Sequence, residues 1–189
     1  MNARGLVLFP GAGSDSQHSA LIAVERAVAP VPTLRVDFPY RLAGKKFPDK
    51  ASVLIECVKV SVREFAKQLQ CETEQLVIGG RSMGGRMCTM AASDEVDPLK
   101  VLGIACIGYP LHPPKKPGQL RTAHFGNLHS TLLFVSGTRD EFGTPEELAL
   151  AWKLLPKRPT VQMIEKGRHE LRGADAQVAE FVAQWLQNL

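Results

Sequence analysis

The sequence predicts an α/β fold, a three-layer α/β/α sandwich with a mainly parallel sheet of about six strands between two layers of helix. Three observations predict it. Short apolar runs recur along the chain and are too short for helices. Between them lie stretches whose apolar residues repeat at helical spacing. Most of the runs end in a turn rich in glycine or proline. The length of 189 residues favours one domain, 1–189.

The first run, Gly5–Phe9, is stopped by Pro10, Gly11, Ala12 and Gly13. Ser14, Asp15 and Ser16 are N-cap candidates for a helix carrying Leu21, Val24 and Val28, which Pro30 and Pro32 end. Residues 33–38 read as a second strand closed by Pro39, and residues 40–50, polar with Gly44 and Pro48, as a loop. Val58, Val62, Phe65, Ala66 and Leu69 mark a long helix. Residues 75–79 form a third strand, 80–85 a turn, and 86–92 a helix. Residues 101–107 are a fourth strand. Residues 109–128 then hold four prolines with little periodicity, a long excursion of the kind that often carries function. Residues 131–136 are a fifth strand, and Pro145 opens a helix with Leu148, Ala151, Trp152 and Leu155. A short sixth strand, Thr160–Ile164, precedes a last helix marked by Val178, Phe181, Val182, Trp185, Leu186 and Leu189. Both tryptophans fall on apolar faces and read as core.

The bulk properties exclude several classes. A net charge of +4 is mild and its cations are dispersed, which argues against nucleic acid. Cys57, Cys71, Cys88 and Cys106 form no CxxC pair and read as free thiols, so neither a metal nor a disulfide is expected. No apolar run reaches membrane length and no signal peptide is visible, so the expectation is a cytoplasmic protein with no membrane partner. The sequence does not fix the oligomeric state.

In parallel sheets, sites form where strands end. The turn after the third strand is Gly80-Arg81-Ser82-Met83-Gly84, a G-x-S-x-G pattern between strand and helix. Small flanking residues let strand and helix approach, which exposes the Ser82 hydroxyl at a helix N-terminus suited to a developing oxyanion. The turn after the fifth strand offers Asp140 as an acid, with Glu141 as its competitor. Of five histidines, only His169 follows Asp140, and it lies between the last strand and the last helix. Serine, acid and histidine therefore occur in the order that this motif requires. The turn after the first strand supplies the backbone N–H of Ala12 as the partner of Met83 N–H in an oxyanion hole.

These segments resemble the α/β-hydrolase superfamily, in its dienelactone-hydrolase-like branch. The chain is most similar to the small lid-poor group of testis-expressed and nonspecific-lethal-complex-subunit-like hydrolase domains. The resemblance rests on residues 10–13, 37–40, 79–86, 109–114, 137–143 and 167–171. Residues 109–114, Tyr-Pro-Leu-His-Pro-Pro, are its most particular part. It implies an α/β-hydrolase fold with a minimal lid or none, and hydrolysis of small acyl esters or thioesters through Ser82, His169 and Asp140 without a cofactor. It adds Gly11, Phe38, Tyr40, Arg81 and His112 as residues contacting a small-molecule acyl substrate. Relatives often carry His-Gly at the first turn, where this chain has Pro10-Gly11, and the antiparallel strands that open larger hydrolases are missing.

Several residues keep two readings. Arg81 and Arg86 flank the serine and suit a substrate carboxylate or phosphate, but Arg81 also suits pairing with an acid such as Asp37. His112 and His124 could rim a pocket. Lys115, Lys116 and Arg121 make the proline-rich excursion basic, towards an acidic ligand or simply towards solvent. Two other classes compete for the whole chain. A dinucleotide-binding domain would use Gly11, Gly13 and Asp37, but its third glycine position is Ser16. A non-catalytic scaffold on a hydrolase fold is the other.

Overall fold

The computed structural model describes residues 3–189. Six strands, β1 (Gly5–Phe9), β2 (Thr33–Arg35), β3 (Leu76–Arg81), β4 (Gly103–Ile107), β5 (Thr131–Gly137) and β6 (Thr160–Ile164), form one sheet. Their order is β2-β1-β3-β4-β5-β6, and every neighbouring pair is parallel. The strand side chains alternate between two buried faces. Val7 and Phe9 join one core with Ile78, Ile104 and Phe134. Leu6 and Leu8 join the other with Val77, Leu133 and Val135. That double burial explains why the strands read as continuous apolar runs.

Helices α1 (Ser19–Ala27) and α6 (Asp175–Gln187) pack together on one face. Helices α3 (Ala51–Gln68) and α4 (Met83–Ala92) pack together on the other, where Leu148 and Ala151 of α5 (Pro145–Ala151) enter the same core. A short helix α2 (Pro39–Leu42) lies between β2 and α3. Among the described residues, no inserted α-helix stands between β4 and β5, only a single 3-10 turn at Phe125–Asn127, and no lid is evident. Among the same residues, no helix is long and apolar enough to cross a membrane.

Several sequence expectations are corrected in detail. Ser14, Asp15 and Ser16 do not cap α1; His18 does, its Nδ1 accepting the Ala20 N–H at 3.2 Å. The second strand ends at Arg35, because Asp37 turns away to accept Ser16 N–H and Oγ–H. Residues 39–42 are helical, since Pro39 sits at the first helical position with its angle already suitable. Helix α4 begins at Met83 rather than Arg86, with Ser82 itself as its N-cap. Trp185 is buried, while Trp152 is only partly covered and packs on Phe134.

The strand order sets the site. From β1 the chain goes to one side to make β2, then returns past β1 to make β3. The neighbours β1 and β3 therefore straddle the switch point, where crevices form at carboxyl ends. Phe9 is level with Gly80 there, so the turns after β1 and β3 start side by side.

Candidate active site

Ser82 occupies a backbone conformation that few side chains adopt, with φ 48° and ψ −112°. A non-glycine residue there stores strain of order 1–3 kcal/mol. The turn is held by the Ser82 N–H donating to the Ile107 carbonyl at 2.8 Å and by the Arg86 N–H donating to the Ser82 carbonyl at 3.1 Å. The flanking glycines follow from packing. A Cβ on Gly80 or on Gly84 would overlap the Phe9 carbonyl, so only glycine lets β3 and α4 lie this close to β1.

The hydroxyl points at His169. Ser82 Oγ is 2.8 Å from His169 Nε2. His169 Nδ1 is 3.0 Å from each Asp140 carboxylate oxygen. Ionised Asp140 is acceptor-only, so Nδ1 carries the proton and Nε2 is left to accept from the serine. Both Asp140 and His169 are buried. Asp140 is steadied by the Phe142 N–H, which donates to its Oδ1 at 2.8 Å, and the Phe142 ring stacks on the imidazole with centroids 3.9 Å apart. Glu141, the competing acid, meets the backbone N–H of His169 at 3.4 Å and not its ring. Backbone donors, its own N–H first, hold its carboxyl below the usual range.

The oxyanion candidates face the same space. Met83 is the first residue of α4, where N–H groups have no partner within the helix. Gly11 and Ala12 form the opposing turn, and a Cβ on Gly11 would sit 3.6 Å from the Ser82 Cβ. Together with Ser82, Met83 and His169 they line a cavity of about 540 Å³.

The other sequence candidates separate. Arg81 lines the cavity, yet pairs not with Asp37 but with Glu170, Nη2 to Oε2 at 2.9 Å, and its Nη2 also donates to the His169 carbonyl at 3.4 Å. Asp37 is occupied by Ser16, which removes the carboxylate that a dinucleotide would need. Phe38 and Tyr40 are corrected from substrate contacts to core. Both are fully buried; Phe38 stacks on Phe9, and the Tyr40 hydroxyl donates to the Ala12 carbonyl at 2.8 Å. They sit beneath the turn after β1 and not on the cavity. His112 is buried away from the cavity, with Nδ1 on the Pro113 carbonyl and Nε2 3.2 Å from Glu147. His124 is held by Thr89 at 2.9 Å, and burial, helped by the charge of Arg86, pushes it down to about 4.

Three residues went unassigned in the sequence: Phe142, Glu170 and Tyr109. Phe142 had a signal, since an aspartate commonly accepts the N–H two residues on in an Asx turn. The others follow from tertiary placement and had none.

A model of the alpha/beta hydrolase domain family matches residues 2–187, and the chain belongs to that family. Its family and fold support a hydrolase. Among solved structures it is similar to an alpha-beta serine hydrolase homologue from Coxiella burnetii, at 15% identity over 98% of this chain and 86% of that one, with TM-score 0.79. It is similar to a dienelactone hydrolase from Anabaena variabilis, at 19% identity over 98% and 87%, with TM-score 0.75. A third likeness is to an α/β serine hydrolase without lid from Xanthomonas campestris, at 13% identity over 100% and 84%, with TM-score 0.73. At these identities the likeness is one of fold.

Proposed function

We propose that the protein is a serine hydrolase that cleaves small acyl esters or thioesters through an acyl-enzyme. The observation that carries this is the unbroken chain from Ser82 Oγ to His169 Nε2 and from His169 Nδ1 to Asp140. Ser82 Oγ attacks the acyl carbonyl while His169 takes its proton, and Asp140 fixes the imidazole tautomer and stabilises its charged form. The N–H groups of Met83 and Ala12 hold the oxyanion. The tetrahedral adduct collapses, and His169 hands its proton to the departing alkoxide or thiolate. Water, activated by His169, then attacks the acyl carbonyl, releasing the acid and restoring Ser82.

The cavity has no inserted helix over it among the described residues, which favours short acyl chains. A series of nitrophenyl esters tests both points. Short-chain esters should turn over fastest, and Ser82→Ala should lose that turnover. Equal or better turnover of long-chain esters would refute the short-chain assignment. Turnover that survives Ser82→Ala would refute the nucleophile.

A further inference from the structure

The part of the cavity wall built by α4 and the segment after β4 holds two guanidinium groups without a counter-charge among the described residues. Arg86 lies one helical turn into α4 from Ser82 and is anchored there by its own N–H on the Ser82 carbonyl. Its side chain lines the cavity. Its Nε is buried and has no hydrogen-bond partner among the described residues. Buried polar atoms are nearly always paired, and an unpaired charged donor is costly to keep. The other such atoms belong to Ser136, Trp152 and Trp185, none of which lines this cavity.

Arg121 reaches the same cavity from the segment after β4. That segment is pinned around it. The Arg121 N–H donates to the Leu111 carbonyl at 2.8 Å, the Tyr109 hydroxyl donates to the Arg121 carbonyl at 2.8 Å, and one Nη1 hydrogen goes to the Pro110 carbonyl at 3.2 Å. Among the described residues, neither Arg86 nor Arg121 has a carboxylate within ion-pair distance. The two charges oppose each other: burial first, and then Arg86, eases deprotonation of Arg121. The carboxylate on the cavity, Glu170, is taken by Arg81.

We propose that this site takes esters or thioesters carrying a carboxylate or phosphate group, and that Arg86 and Arg121 hold that anion while Ser82 attacks the carbonyl. The proposal rests on the hydrolase reading for its reaction and on the arginine pair for its specificity. Guanidinium forks match the paired oxygens of both anions, and one anion between the two arginines would offset their like charge. The cavity of about 540 Å³ is of a size for a small molecule that places both groups at once.

Two matched ester pairs test it. One pair puts the anion in the acyl part, the nitrophenyl monoester of glutaric acid against nitrophenyl pentanoate. The other puts it in the leaving group, 4-acetoxybenzoate against 4-acetoxybenzamide. The wild-type protein should prefer the anionic member of at least one pair by about tenfold or more in kcat/KM, mainly through KM. Within the double variant Arg86→Gln, Arg121→Gln that ratio should fall close to one, whereas Lys116→Gln, an exposed cation on the same excursion, should keep it. Inhibition by glutarate against inorganic phosphate then tells which anion is preferred. No anionic preference in either pair, or a preference that survives the double variant, would overturn the proposal. Failure to turn over all four esters would instead count against the hydrolase reading. The arginine pair is then read by thermal shift with glutarate and with phosphate. Stabilisation lost in the double variant supports the anion site, and an equal response in both proteins overturns it.

Discussion

Around Ser82, the wall built by the turns after β5 and β6 has its polar side chains bonded to one another. The wall built by α4 and the segment after β4 does not. On the first, His169 is held by Asp140 and stacked by Phe142, Asp140 is held by the Phe142 N–H, and Arg81 is paired with Glu170. On the second, Arg86 and Arg121 face the same cavity without a carboxylate among the described residues. On the reading proposed above, the difference separates two tasks. Groups that move a proton must already be oriented before substrate arrives, because reorganising them during the reaction would add to the barrier. Groups that choose a substrate must keep a bonding capacity for it to complete.

The largest expected effect breaks the bonded wall. Asp140→Asn should lower kcat by about 10³–10⁴ with little change in KM, because an amide donates to Nδ1 and leaves His169 in the wrong tautomer. Glu141→Gln should cost far less, since Glu141 touches only the His169 backbone N–H. Steady-state kinetics of the two variants compares them, and equal losses would mean that the acid has been misassigned.

The second effect sharpens the contrast from the other wall. His124 is pushed down to about 4 by burial and then by Arg86. Unfolded, it takes a proton near 6.5; folded, it does not until about 4, so the unfolded state binds more protons between these values. Stability is therefore full above about pH 6.5 and falls as the pH drops towards about 4, by at most about 3 kcal/mol. His18, also lowered, chiefly by burial, adds in the same direction. Urea midpoints measured across that window should fall less steeply in His124→Asn than in wild type. Parallel slopes would show that His124 titrates freely.

A smaller effect lies behind the oxyanion turn. Tyr40→Phe removes the hydroxyl that holds the Ala12 carbonyl at 2.8 Å. Net loss of one such bond is about 1 kcal/mol, so kcat should drop several-fold while the fold remains. An unchanged kcat would mean that the turn is positioned by Gly11 and its neighbours alone.

The sequence made the frame legible because its signals are local. Strands buried on both faces leave unbroken apolar runs, and Gly80 and Gly84 mark a close approach that backbone packing demands. The order of Ser82, Asp140 and His169 follows from the same alternation. The supporting contacts were less legible because they join residues far apart in the chain. Arg81 suited Asp37 as well as Glu170 until the loop after β6 was placed. Phe38 and Tyr40 stood in a motif that suggested the cavity, yet their bulk and apolar faces took them into the core beneath it. Arg121 stood in a segment with little periodicity, so only its position after β4 brings it beside Arg86.

The central claim is that Ser82 is an activated nucleophile. Intact mass and peptide mapping after treatment with a fluorophosphonate probe test it most directly. The account predicts one phosphonyl group per chain, located on Ser82, with labelling abolished in Ser82→Ala and strongly slowed in His169→Gln. Labelling at another residue, or equal labelling of wild type and Ser82→Ala, would contradict it.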